Sequence, residues 1–139
     1  SIPTENRKNM AKKDLEVPNH EHMTGGFSSM FMSRNRKKSW DDCSFTIQAG
    51  ARHAPLHPSS PEMVKEDTDK WCFNGDEEDV RRMSVRECAR VQTFPDDFIF
   101  YYDNISDGYK MIGNAVPVKF IEVIARQIME DINHRAHKK

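Results

Sequence analysis

Apolar residues are spread unevenly along these 139 residues, and one stretch repeats them at helical spacing. Ile121, Ile124, Ile128 and Ile132 recur at intervals of three and four, and Val118, Ala125 and Met129 widen the stripe. Such a stripe marks a helix that buries one face. Pro117 suits its first position, where a missing N–H is no loss, and a basic tail, residues 134–139, follows. Upstream, Ser84-Val85-Arg86-Glu87 spells a capping box. The Ser84 side chain can accept from the Glu87 N–H while the Glu87 carboxylate reaches back to the Ser84 N–H. A short helix is expected from there to about Gln92, with Val85, Cys88 and Ala89 as its apolar face. Phe94-Pro95 ends it, since the residue before a proline avoids the α region.

Earlier in the chain the pattern changes period. Phe27, Met30, Phe31 and Met32, and the alternation Ser44-Phe45-Thr46-Ile47-Gln48, predict two short strands. Between them lies a basic loop, Ser33-Arg34-Asn35-Arg36-Lys37-Lys38-Ser39-Trp40, with Trp40 expected to anchor the core of this unit. Gly50, Pro55 and Pro58 punctuate a second loop, Arg52-His53-Ala54-Pro55-Leu56-His57. Residues 98–102 are aromatic enough for a strand or for packing against another domain, and residues 113–116 read as a loop before the final helix. Residues 1–22 are polar and aperiodic, an extended and partly disordered lead-in. No internal repeat is visible.

Composition adds a modest core: 37% of residues are hydrophobic and 31% charged, below the apolar share usual in soluble domains. A chain of this kind leans on a partner for part of its burial. The net charge of −1 decides nothing about nucleic acid, but its distribution is informative. Residues 24–58 hold five Arg or Lys against two Asp, and residues 62–79 hold eight acids against two lysines. This suggests an anion-binding face beside a solvated connector. The three cysteines, Cys43, Cys72 and Cys88, fit no zinc spacing. His53 and His57 are four apart, but Pro55 between them forbids a helical metal pair, so no metal is expected. No apolar run approaches the roughly 18 residues that cross a bilayer, and a reduced, cytoplasmic setting is expected, with no membrane partner.

Residues 81–98 read Arg-Arg-Met-Ser-Val-Arg-Glu-Cys-Ala-Arg-Val-Gln-Thr-Phe-Pro-Asp-Asp-Phe. They closely resemble the ninth of the ten motifs of cytosine-5 DNA methyltransferases. Gly113-Asn114-Ala115-Val116-Pro117 is similar to the tenth, in the right order and at the usual short distance. Thr46-Ile47, the run Ser33-Arg34-Asn35-Arg36, and residues 49–58 resemble that family's target recognition domain. The likeness covers roughly residues 25–131.

The resemblance implies a mixed α/β fold. Residues 24–102 would be a small, irregular, strand-containing recognition domain that includes the ninth-motif helix, residues 84–92. Residues 103–133 would supply a C-terminal helix completing a Rossmann-like methyltransferase domain that is itself absent. The family's Phe-x-Gly-x-Gly cofactor loop, its Pro-Cys-Gln nucleophile and its Glu-Asn-Val segment are not found in these residues. Cys43 lies between Asp42 and Ser44, and neither Cys72 nor Cys88 matches the nucleophile motif either. The expectation is therefore a non-catalytic, DNA-reading subunit or fragment of a restriction–modification enzyme. It would bind double-stranded DNA and use S-adenosylmethionine only together with a catalytic subunit or domain. A stand-alone DNA-binding protein and a pure assembly module are the alternatives.

Arg34, Arg36 and Arg52 are the candidates to read guanine O6 and N7, the commonest specific contact. Lys37 and Lys38 suit phosphates, and Asn35 and Gln48 suit adenine or backbone, with Ser33 and His53 in the same loops. Thr46 and Ile47 become groove-facing backbone contacts only through the resemblance. Asn114, Ala115 and Val116 would lie near the amino-acid end of S-adenosylmethionine, beside a helix start whose free N–H groups favour polar or anionic groups. Ile121, Ile124, Ile128 and Ile132 form the expected partner interface. Arg86, Glu87 and Arg90 are expected to act as scaffold through capping and ion pairs.

Overall fold

The structure is a computed structural model that describes residues 15–136. The first 14 residues of the lead-in, which was expected to be extended and partly disordered, and the last three residues of the basic tail fall outside that range. The fold is mixed α and β, with a two-stranded sheet and a C-terminal helix. In chain order come single 3-10 turns at Phe31–Ser33 and Ala51–His53, strands β1 (Glu62–Asp67) and β2 (Lys70–Asn74), and a 3-10 turn at Glu77–Asp79. Helices α1 (Val85–Val91), α2 (Ile105–Asn114) and α3 (Val118–Ala136) complete the chain.

Neither expected strand forms. Phe31 begins a 3-10 turn, and residues 44–48 have no ladder partner. The alternation at Thr46-Ile47-Gln48 is nonetheless expressed: Ile47 is buried while Thr46 and Gln48 are exposed. Residues 98–102 form no strand either; the Phe94, Phe98 and Phe100 rings pack together at 5.0–5.3 Å. The sheet arises instead in the acidic stretch read as a connector. There β1 and β2 pair antiparallel from Glu62↔Asn74 to Asp67↔Lys70, with a bulge between Lys65 and Asp67. Its charges are wet because β1 buries only Met63. Met63 joins Phe31 and Leu56 in a small core flanked by Phe27, Trp71 and Phe73.

The larger core gathers Ile47, Ala51, Ala54, Val85, Cys88, Ala89, Phe100, Ile105, Tyr109 and Ile112. Helix α1 is its hub, and the capping box is complete in both directions, at 3.1 and 2.8 Å. The lead-in, expected to be extended through residue 22, is part of this hub from Asn19 onward. The N–H of Val85 donates to the Glu21 carbonyl and that of Arg86 to the Asn19 carbonyl, filling first-turn donors that a helix leaves open. The Asn19 side chain donates to the Phe100 carbonyl and accepts from the Phe100 N–H, as a paired strand residue would.

Helix α2 was not foreseen. Its buried positions Ile105, Gly108, Tyr109 and Ile112 do follow helical spacing, and Asn104 caps it by accepting from the Ser106 N–H at 2.8 Å. Two glycines hide it, each disfavouring a helix by about 1 kcal/mol relative to alanine. Both are there for close approach. A Cβ on Gly108 would lie 2.6 Å from the Tyr102 ring, and one on Gly113 would lie 2.3 Å from the Ala49 nitrogen.

Helix α3 begins after Pro117 as its pattern predicts, and none of its 19 residues is buried. Ile121, Ile124, Ile128 and Ile132 are 46%, 38%, 53% and 54% exposed. Only its start is tied down, by Val118 N–H to the Gln92 carbonyl and Lys119 N–H to the Thr93 hydroxyl. Trp40, expected in the core, is 71% exposed, with its ring edge-on to His57 at 5.1 Å. Its loop leaves the core before Trp40 is reached, since the flanking Ser39 and Asp41 are exposed as well.

Candidate functional site

The basic loop after Phe31 is held from below. Arg36 donates from Nε to the Phe31 carbonyl and from Nη2 to the Met30 carbonyl, and its guanidinium lies over the Phe31 ring. Its N–H reaches the Met63 sulfur, and its carbonyl accepts from the Leu56 N–H. Thus Arg36 clamps the loop onto the small core, and burial lowers its guanidinium below the usual range. Asn35 is half-buried and its side chain accepts from the Lys37 N–H at 2.8 Å. Lys37 is paired with Glu62 of β1, and Lys38 rests on the Phe45 ring at 5.0 Å. Ser33 donates to the Met30 carbonyl.

Among the candidate DNA readers, Arg34, Arg52, Thr46 and Gln48 are exposed, and His53 is half-buried. The Ile47 side chain is 4% exposed and belongs to the core, so a contact there with a ligand falls to its backbone. The physical reason is the alternation itself: exposing Thr46 and Gln48 turns Ile47 inward.

Asn114 ends α2, Ala115 follows in extended conformation, and Val116 leads into α3. Asn114 and Val116 are exposed, and Ala115 is half-buried. The expected free N–H groups at the start of α3 are mostly taken. Pro117 has none, and those of Val118 and Lys119 are bonded to the α1 end. An open hollow of about 490 Å³ reaches Asn114 beside Tyr101, Tyr102, Lys110 and Met111. Of this segment Asn114 lines that hollow, together with Asp103 and Asp107, while Ala115 and Val116 lie outside it.

Gly113 joins the two regions. The backbone of Gln48 and Ala49 lies so close that no side chain fits at position 113. Residues 48–49 and Gly113 are thus in close backbone contact, a relation that sequence reading missed although the glycine was in view.

Beneath this frame runs a polar network. Arg81 forks onto both oxygens of Glu87 at 2.8 and 2.9 Å, and the His57 Nε2 lies 3.5 Å from Glu87. Burial pushes the Glu87 carboxyl up, but the bonds from Arg81 and Ser84 outweigh it and the net value is lowered. Burial lowers His57 and His20 below the ordinary imidazole value, against the pull of Glu87. His20 bonds the Ser84 hydroxyl at 2.8 Å. Arg90 pairs with Asp96, as expected of a scaffold residue. Arg86, expected in ion pairs, is fully buried and donates instead to the carbonyls of Pro18, Pro95 and Phe98 and to the Asn19 side chain. Cys88 is fully buried, and burial pushes its thiol far up, which keeps it from acting as a thiolate.

The sequence profile of the C-5 cytosine-specific DNA methylases matches residues 3–130. The chain belongs to this family. It is 61% identical over 121 residues to the Type II methyltransferase M.MthTI of Methanothermobacter thermautotrophicus, covering 86% of this chain and 37% of that protein. To the Type II methyltransferase M.FnuDI of Fusobacterium nucleatum it is 45% identical over 136 residues, covering 97% of this chain and 40% of the relative. To M.NgoPII of Neisseria gonorrhoeae it is 50% identical over 117 residues, 84% of this chain and 34% of the relative. The chain thus spans 34–40% of the length of these methyltransferases. Among the described residues no helix is long and apolar enough to cross a membrane.

Proposed function

We propose that this chain is the DNA-reading part of a cytosine-5 DNA methyltransferase of a restriction–modification system, active only with a catalytic part. The observation that carries this reading is α3. It follows directly on the tenth-motif segment and leaves its whole isoleucine stripe exposed. Burying each such side chain is favourable by about 1.5–3 kcal/mol, so the helix suits docking onto a larger domain. A stand-alone DNA-binding protein has no use for this stripe or for the segment Asn114 to Val116.

Methylation at C5 needs a thiolate to add to C6, after the base has left the stack. In this reading both steps belong to the catalytic part. S-adenosylmethionine would supply the methyl group, and Asn114, Ala115 and Val116 would contribute one wall for its amino-acid end. This chain holds the duplex. Arg34 and Arg52, both exposed, are the remaining candidates to read guanine, and Arg36 is the clamp that positions the loop carrying Arg34. Lys37 and Lys38 serve the phosphate backbone, Asn35 pairs with adenine or with backbone, and Ser33 and His53 add polar contacts from their own loops. Thr46 and Gln48 contact the groove through side chains, and Ile47 through its backbone.

The test is complementation. The chain is mixed with the N-terminal, catalytic part of a relative, and transfer of labelled methyl groups to duplex DNA is measured. The expected result is no incorporation by the chain alone and recovery in the mixture. Incorporation by the chain alone, or none in the mixture, would sink the proposal.

A further inference from the structure

The Gly25-Gly26 pair precedes the basic loop and is used by nothing described so far. Arg82 grips it from inside. This arginine is 3% exposed, its guanidinium lies 4.2 Å from the centre of the Phe27 ring, and its two terminal nitrogens donate to the carbonyls of Gly25 and Gly26, both at 3.1 Å. No described peptide bond is cis. In a trans peptide the N–H points opposite to the carbonyl of the same plane. Drawing the Gly25 and Gly26 carbonyls inward therefore turns the N–H groups of Gly26 and Phe27 outward. Neither N–H has a hydrogen-bond partner among the described residues. Both glycines are exposed, and nothing lies within 4 Å of the place a side chain would occupy on either. Gly25 has a φ of 111°, which favours glycine, whereas Gly26 does not.

Two successive outward amides are an anion-binding arrangement, and the surrounding charge agrees. A hollow of about 440 Å³ on this loop is lined by Gly25, Gly26, Ser28, Arg52 and Arg82. The Arg82 Nε is buried without a hydrogen-bond partner. A wider cleft of about 810 Å³ also touches the loop, but there Glu77, Glu78 and Asp79 outnumber Arg81 and Arg82, and Arg81 is already paired with Glu87. The Arg52 side is the one that attracts an anion.

We infer that the amides of Gly26 and Phe27, with Arg52, form a cradle for a single phosphodiester of the DNA backbone. The inference rests on the DNA-binding function proposed above and adds a contact outside the basic loop. It divides the labour of the two exposed arginines: Arg52 serves the cradle, leaving Arg34 to the bases.

Gly26→Asp tests it, because position 26 accepts a side chain without strain and the new carboxylate would occupy the cradle. Gly26→Ala serves as the control for folding. The full chain is titrated with specific and random duplexes by fluorescence anisotropy, alongside its amide spectrum. A methylphosphonate is then walked along the duplex, neutralising one phosphate at a time. Gly26→Asp is expected to weaken both duplexes equally, by about tenfold, and to lower the salt slope by about one. One methylphosphonate position should weaken the wild type and leave Gly26→Asp unaffected. Wild-type affinity and slope in Gly26→Asp, or a walk with no such position, overturns the cradle. So does a shift of the Gly26 and Phe27 amides by inorganic phosphate but not by duplex, which would mean a site for free anion. A wild-type chain that binds no duplex at all removes the DNA-binding function together with the cradle.

Discussion

Single residues decide how residues 48–49 meet the end of α2, and Gly113 is the sharpest case. Its Cβ would lie 2.3–2.5 Å from backbone atoms of Gln48 and Ala49, which have no rotamer through which to yield. Gly113→Ala is therefore expected to lower stability by about 1–3 kcal/mol or more, as overpacking does, even though alanine favours helices. Urea unfolding measures it, and a variant as stable as the wild type would show that this backbone contact is loose. In the family pattern the glycine is easy to notice. That it is a packing glycine could not be read from sequence, because the neighbour it admits is 64 residues away.

At the scale of elements, α1 and α3 stand at opposite ends of self-sufficiency. Helix α1 has its first-turn donors filled from the chain segment at residues 19–21 and from its own cap. Helix α3 has two bonds to the end of α1 and an exposed apolar stripe. Ile124→Asp or Ile128→Asp should consequently leave the melting temperature of the isolated chain unchanged, yet abolish the association with a catalytic part that is proposed above. Calorimetry and co-purification separate the two effects. A large loss of stability in the isolated chain would mean that the stripe packs within this chain. Self-association of the wild type, if it occurs, should vanish in the same variants.

For the whole molecule the polar network around Glu87 sets a pH dependence. His20 and His57 titrate below their ordinary 6.5 in the fold, so the unfolded chain takes up protons first as the pH drops. Stability is then full above about 6.5 and falls through the window below it. Glu87 is lowered from its ordinary 4.5, so its contribution is present above 4.5 and is lost as the pH falls further. The melting temperature should be flat between pH 7 and 8, lower at 5.5, and lower again at 4. Replacing both histidines with glutamine should flatten the first step and leave the second. A profile with no step near 6 would contradict the burial of both rings.

Local signals fixed what depends on local chemistry. The capping box of α1 and the isoleucine stripe of α3 were legible because a cap and an amphipathic face are written within a few residues. The ninth and tenth motifs carried the family for the same reason. The hairpin at residues 62–74 was not legible, since a run of acids reads as solvated whether or not its backbone pairs, and only Met63 inside it is buried. Helix α2 was hidden by glycines whose purpose lies in distant neighbours, the Tyr102 ring and the backbone at residues 48–49. Among the basic residues the sequence could name the type of side chain but not its commitment. Burial and carbonyl acceptors made Arg36, Arg82 and Arg86 into struts, while Arg34 and Arg52 stayed exposed. Charge is a property of the residue; whether it is free to meet a ligand is a property of everything packed around it.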